Sequence, residues 1–340
     1  WEIKAAILRT MGLLISRGGI GLKPFVPQLQ TTFVKCLPDP AAKVRHLAAV
    51  NLGALSKLSL RLDQVVCDLA NTAKTADAQV QGAYLEAVRG ALLVSGDRMS
   101  GETLGKIQSA LEDVITGAGD NEAVRVDAAA VTGALAQRVQ EDAVFVDLLT
   151  SASTGGPLSP VATTSSNRAV RMGAAATAAY VAQYAAGRLK PTGQLQPLIA
   201  VIKKMAKDES VDVKLSASKA AGRIITNEII NNSTTTGDNK NASESLPSLI
   251  PVFVMLLGPD QHSDTRKHVL AVIRKITTTS PPKGAQCLEP HFTDLVPSIC
   301  GVIQDSAGPA KLSAERTVAR VLRLVDDSDV ALAFFASKGA

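Results

Sequence analysis

An acidic turn residue followed six positions later by a basic one recurs along this 340-residue chain, and no other feature restricts its fold as tightly. Asp39 precedes Arg45, Asp208 precedes Lys214, Asp260 precedes Arg266 and Asp305 precedes Lys311. Asp120 and Arg125 keep the pair with one residue fewer. Asn167 replaces the acid ahead of Arg171, and Asp77 has no basic partner. Successive motifs stand roughly 40 to 50 residues apart, the period of stacked helical hairpins in which no unit buries its apolar face alone. Chemistry does not return this often along a chain; scaffolding does. The acid is expected to cap the second helix of its hairpin, or to pair with the basic residue of its own or the next unit.

Each unit reads as two helices around that turn. In "KPFVPQLQTTFVKCL" the residues Phe25, Leu29, Phe33 and Leu37 recur at four-residue spacing, and proline is tolerated at the helix start. The second helix carries Val44, Leu47, Ala48, Leu52 and Leu55 on one face, with Gly and Ala where a neighbour must come close. Apolar residues make up 46% of the chain and aromatics 3%, so Ala, Leu and Val must fill the interior, which suits closely packed helices. Turns near residues 39, 77, 120, 166, 208, 260 and 306 predict an all-α array of about seven antiparallel hairpins with a half-unit at the start.

Two tracts interrupt the rhythm. Helical units over 1–150 are followed by a Ser/Thr/Gly loop at 151–166, further units at 167–230, a loop at 231–245 predicted to be disordered, and units over 246–340. Both loops lack an apolar face and are expected to be exposed and dispensable. The last stretch, "DDSDVALAFFASKGA", reads as the beginning of another helix. The chain opens directly in helix rhythm, as a piece of something longer would.

A search for chemistry yields little. "SRGGIGLKP" lacks the spacing of a phosphate loop and reads as a helix stop before a proline-led helix. His46, His262, His268 and His291 form no metal motif, and Cys36, Cys67, Cys287 and Cys300 are too scattered for a disulfide framework. No catalytic residue, metal, cofactor or small-molecule substrate is expected, and no apolar run approaches the ~20 residues of a membrane span. With 36 basic and 31 acidic residues the chain is only mildly cationic. Basic side chains gather at Lys203, Lys204 and Lys207, at Arg316, Arg320 and Arg323, and at Arg266, Lys267, Arg274 and Lys275. These are solvated helix flanks or contacts for an acidic partner or RNA phosphates. Without stacking aromatics they do not suit sequence-specific RNA reading.

Proline early in the first helix, Asp in the turn and Val-Arg opening the second helix form the HEAT pattern, which makes the array a HEAT-repeat α-solenoid, an α-α superhelix. "KAAILRTMGLLISRGG" with "LKPFVPQLQTTFVKCLPDPAAKVRHLAAVNLGALSKL" resembles the C-terminal portion of the general control non-derepressible protein one family, and "YLEAVRGALLVSGDRMS" and "AVRVDAAAVTGALA" continue the likeness. Residues 1 to about 140 carry it strongly, whereas 141–340 rest mainly on repeat rhythm. The resemblance implies a cytoplasmic, non-enzymatic scaffold in translation control under stress. Its implied partners are the RWD domain of the kinase that phosphorylates the alpha subunit of initiation factor 2, other RWD proteins, and the ribosome through the full-length protein, with no membrane. It places the partner surface in the first units, around Gln28, Gln30, Lys35, Lys43 and Arg45, where polar and basic side chains also break the apolar rhythm. Arg45 remains ambiguous, because a turn clamp and a partner contact both suit a guanidinium. A ribosomal-RNA docking segment, and a scaffold for transport cargo or a phosphatase, are the alternatives.

Overall fold

The computed structural model describes residues 1–234, 244–279 and 287–322, and among these every regular element is helical. The chain divides into two compact units, Trp1–Ala185 and Ala186–Ala340.

The first unit contains α1 (Glu2–Gly18), a 3-10 turn (Gly19–Phe25), α2 (Val26–Cys36), α3 (Ala42–Leu55), α4 (Leu62–Thr75), α5 (Ala78–Ser95), α6 (Gly101–Gly117), α7 (Glu122–Arg138), α8 (Asp142–Thr150), the short α9 (Pro160–Thr164) and α10 (Arg168–Tyr184). They form two rows. Helices α1, α3, α5, α7 and α10 pack side by side as the inner row, while α4 packs on α6 in the outer row. The second unit contains α11 (Ala186–Leu189), α12 (Leu195–Met205), α13 (Val211–Thr234), α14 (Leu246–Leu256), α15 (Ser263–Thr278), α16 (Phe292–Asp305) and α17 (Gly308–Leu322). There α15 lies between α13 and α17, and α14 touches both α12 and α16. Seven hairpins are thus present among the described residues, and each second helix begins one to three residues after its anticipated turn. This is an all-α HEAT-repeat solenoid arrangement.

Small residues let the inner helices approach almost to backbone contact. A Cβ built on Gly53 of α3 would lie 2.8 Å from the Cα of Gly90 on α5. One on Gly133 of α7 would lie 2.8 Å from the carbonyl carbon of Tyr180 on α10. Helix α10 buries Ala169, Ala174, Ala175, Ala176, Ala178, Ala179 and Ala182, so its close packing rests on methyl groups rather than long side chains. Polar ties follow the same repeat separation. Asn51 Nδ2 donates to the Leu8 carbonyl at 2.8 Å, and the hydroxyls of Ser56 and Ser95 are 2.9 Å apart. Arg138 donates to the carbonyls of Leu92 and Leu93 at 3.0 and 2.8 Å, and Arg98 to those of Lys57 and Ser59 at 2.8 and 2.9 Å. Each guanidinium thereby binds carbonyls at the end of the preceding repeat's second helix.

The anticipated register of the first helix needs correction. Phe25 is 58% exposed, whereas Val26, Phe33 and Leu37 are buried and Leu29 is half-buried. The 3-10 turn ending at Phe25 advances fewer residues per turn than an α-helix, which shifts the phase of the residues before α2. The tract at 151–166 is also more structured than its composition suggests. Thr154 is 1% exposed and its hydroxyl donates to the carbonyls of Leu148 and Ser151 at 3.2 and 3.0 Å. The Leu158 amide donates to the Leu149 carbonyl at 2.8 Å, and α9 buries Ala162. Short hydroxyl side chains are buried here because the backbone supplies their partners. Of the 231–245 loop, α13 covers the beginning through Thr234 and residues 235–243 lie outside the described residues. Ser245 at its far end is buried, and its hydroxyl donates to Glu228 at 2.6 Å. The anticipated last helix beyond residue 322 and Arg323 also lie outside them.

By length and composition alone the helical run Glu2–Cys36 would suit a membrane span. A 3-10 turn interrupts it, Arg9 and Arg17 lie within α1, and α1 packs on α3 as a member of the inner row.

Gly53→Ala forces backbone against backbone and is expected to destabilise the protein by about 1–3 kcal/mol. Gly105→Ala on α6, where nothing lies within 4 Å of the new methyl, should instead stabilise by roughly 0.5–1 kcal/mol. Urea midpoints for the two variants check the contrast; equal shifts would remove the close-approach argument.

Candidate protein-binding surface

The recurring acid and base both act at the turns, each chiefly on the turn's own backbone. Asp39 Oδ1 accepts the Ala41 amide at 2.9 Å, and Oδ2 receives the Lys4 ammonium at 2.8 Å from the preceding helix of the inner row. Asn167 and Asp208 repeat the first contact, accepting the amides of Ala169 and Ser210 at 2.8 Å each. The basic residue folds back onto its own turn. Arg45 Nη1 donates to the carbonyls of Asp39 and Pro40 at 2.9 Å each, Arg125 Nε to Gly119 at 2.9 Å, and Arg171 Nη1 to Ser165 and Ser166 at 2.9 and 3.1 Å. Arg266 Nε reaches the Gly258 carbonyl at 2.8 Å while its Nη1 reaches Ser306 Oγ in the next turn at 2.8 Å. Neighbouring turns are joined again where Asn167 Nδ2 donates to Asp120 at 2.6 Å and Lys214 to Gln261 at 3.0 Å. Of the two anticipated roles, closing the turn is seen at Asp39, Asn167 and Asp208, the ion pair of Asp39 goes to Lys4, and the guanidinium holds the turn's carbonyls.

The five residues placed in the partner surface do not share a face. Gln28, Lys35 and Lys43 are exposed, and Gln28 and Lys35 lie two turns apart on one side of α2. Gln30 is half-buried, lining a small crevice with Leu52, Leu55 and Leu69. Arg45 is half-buried and stands at the rim of a polar groove of about 320 Å³. That groove crosses α3, α5 and α7, and its polar lining includes Arg45, His46, Gln79, Glu86, Arg89 and Asp127. His46 Nδ1 lies 3.0 Å from Glu86, which also receives Arg89 at 3.5 Å. Burial, reinforced by Glu86 and opposed by Arg89, raises the Asp127 carboxyl to about 6. Sequence reasoning missed this group because three different repeats supply it. The available signal was one carboxylate in an otherwise apolar run, "VDAAAV".

The basic clusters divide by role. Lys203 and Lys204 in the last turn of α12, with Lys207 just beyond it, are exposed, as are Arg316 and Arg320 on α17. Arg266 is instead buried in its turn, and Arg274 donates to Ser313 and to Thr317 Oγ1 at 2.7–2.9 Å, joining α15 to α17. Burial beside Lys219 and Arg223 lowers His268 to about 4, leaving it neutral at physiological pH. Among the described residues no three His, Cys, Asp or Glu side chains are grouped to hold a metal ion.

The family model described as "GCN1-like, C-terminal HEAT repeats" matches residues 106–334, about two thirds of the chain. The chain belongs to this family. The match corrects the expectation that the likeness fades after residue 140, and strength of resemblance no longer singles out the first repeats. Protein ILITYHIA of Arabidopsis thaliana is 29% identical over 329 residues, covering 97% of this chain. The eIF-2-alpha kinase activator GCN1 of Saccharomyces cerevisiae is 27% identical over 341 residues, again covering 97%. The stalled ribosome sensor GCN1 of Homo sapiens is 35% identical over 143 residues, covering 42%. The chain spans 11%, 12% and 5% of these three proteins' lengths respectively, so it corresponds to a small part of a GCN1-type protein.

Asp39→Ala should cost on the order of 1 kcal/mol by opening a turn cap. The Lys4 ammonium and the Ala41 amide hold the Asp39 carboxyl below its ordinary value of 3.8, so its contribution is complete above that pH. It is lost as pH falls through the lower folded-state value. Thermal unfolding of both proteins from pH 7 to pH 2 should show the difference vanishing in acid. A pH-independent difference would contradict the assignment.

Proposed function

We propose that this chain is a protein-binding HEAT segment through which a GCN1-type activator engages the RWD domain of the initiation-factor-2-alpha kinase. Its setting is the cytoplasm, on or near the ribosome, and its role is binding rather than catalysis. The observation that carries this reading is family membership combined with a kinase-activator relative aligned along nearly the whole chain. The structure adds a surface suited to the task, since the rigid inner row presents polar side chains from three consecutive repeats in one groove. Arg45 lines that groove and is the candidate contact there. Gln28, Lys35 and Lys43 are exposed outside it and would make separate contacts, whereas Gln30, lining the apolar crevice, is the weakest candidate of the five. Other RWD proteins would compete for the same face.

The exposed Lys203, Lys204, Lys207, Arg316 and Arg320 favour a second contact with ribosomal RNA phosphates. Salt separates the two modes. Neutralising several phosphates makes affinity fall by about three orders of magnitude or more between 50 and 200 mM salt, whereas a packed protein interface changes far less.

Titration of the isolated RWD domain into the purified chain tests the reading. Arg45→Ala is expected to weaken binding about tenfold with the fold intact. Arg171→Ala, in which a more deeply buried turn guanidinium is lost, should lower the melting temperature and leave the folded protein's affinity near wild type. Equal effects of the two substitutions on binding and stability would return Arg45 to a purely structural role, and absence of binding by the wild type would refute the proposal.

A further inference from the structure

We propose that the groove across α3, α5 and α7 receives a lysine or arginine side chain of the protein partner, with Asp127 as its counter-ion. The inference rests on the reading above, that the chain binds an RWD domain, and adds the chemistry by which it does so.

The groove's charges are paired with one exception. Arg45 is held by the carbonyls of Asp39 and Pro40, and His46 and Arg89 both bear on Glu86. Asp127 makes no hydrogen bond or ion pair among the described residues, although it opens onto a groove of about 320 Å³. Helix α5 makes room for it. At Gly82 an added Cβ would fall on Asp127 Oδ2, so any larger residue there would displace the carboxylate. An unpaired, partly desolvated carboxylate is costly, and its pairing with an incoming cation is correspondingly strong where water is already thinned. The groups facing it are Glu86 and Arg89 on α5, with Arg45 and His46 across the groove on α3. Glu86 adds to the negative field, while Arg89, drawn toward Glu86, only partly offsets it. An acidic partner side chain would meet the carboxylate directly, and an apolar one would bury it without a partner.

Pairing with a cation must lower the carboxyl's pKa, so binding near the free protein's value of about 6 should release a proton. The test is isothermal titration of the isolated kinase RWD domain into the full chain at pH 6, in two buffers of different ionisation enthalpy. His46→Gln serves as the background, removing the groove's imidazole. The comparison adds Asp127→Asn, Gly82→Ala, or the control Asp97→Asn at an exposed carboxylate. In the background and the control, about half a proton should be released per complex, because the carboxyl is half protonated at its pKa. Asp127→Asn should abolish the release and weaken binding at least tenfold, with no fall in melting temperature. Gly82→Ala should weaken binding in the same direction. If the RWD domain binds and Asp127→Asn changes neither affinity nor proton release, the cation pocket is wrong while the partner stands. If the RWD domain does not bind the wild type, the functional reading falls and this inference with it.

Discussion

The near-contact of consecutive second helices is the constraint on which the first unit depends. Gly53 lies against Gly90, Gly133 against Tyr180, and Gly12 against Asn51, so the inner row is set at distances that ordinary side chains would not permit. Ordered alanine methyls in α7 and α10 do the same over longer surfaces. At such spacing a helix cannot rotate or slide without driving backbone into backbone, and the interior tolerates little change in volume. Each repeat thereby inherits its orientation from its neighbour. The turn clamps and the arginines on open helix ends then fix details that close packing has already limited.

That constraint also explains what the inner face can do. Side chains directed away from the row come from successive repeats at repeatable positions, so His46, Glu86 and Asp127 converge although they lie about 40 residues apart in sequence. A rigid row can hold a mixed-charge groove without local rearrangement. Binding then costs little ordering of the scaffold, the condition under which a protein interface gains affinity from a few contacts. The exposed lysines at the end of α12 and arginines on α17 belong to the other unit, and they suit a looser, charge-driven contact.

Much of the architecture could be read before any coordinates. The Asp-to-basic spacing located the turns because any hairpin of this kind needs a closed turn and a satisfied helix start at the same place. It did not reveal the partners. A residue six positions after the acid lies over the turn's own carbonyls, so Arg45 donates there, and Asp39 is left for Lys4. The phase of Phe25 was misread because a 3-10 turn changes the periodicity that four-residue counting assumes. Thr154 was read as exposed because apolar patterning does not register a hydroxyl buried on backbone carbonyls. The groove was illegible for a different reason, since its residues share no local motif and meet only through stacking. The glycine that makes room for it, Gly82, looks in sequence like any other glycine in an alanine-rich helix.

Native-state hydrogen exchange on the first unit tests the central claim most directly. If close packing of the inner row organises the unit, amides of α3, α5, α7 and α10 should be its slowest and should exchange through one shared opening. Those of α4 and α6 should then open at lower free energy. Slowest exchange in α4 and α6, or independent opening of α3 and α7 at widely different free energies, would contradict the account.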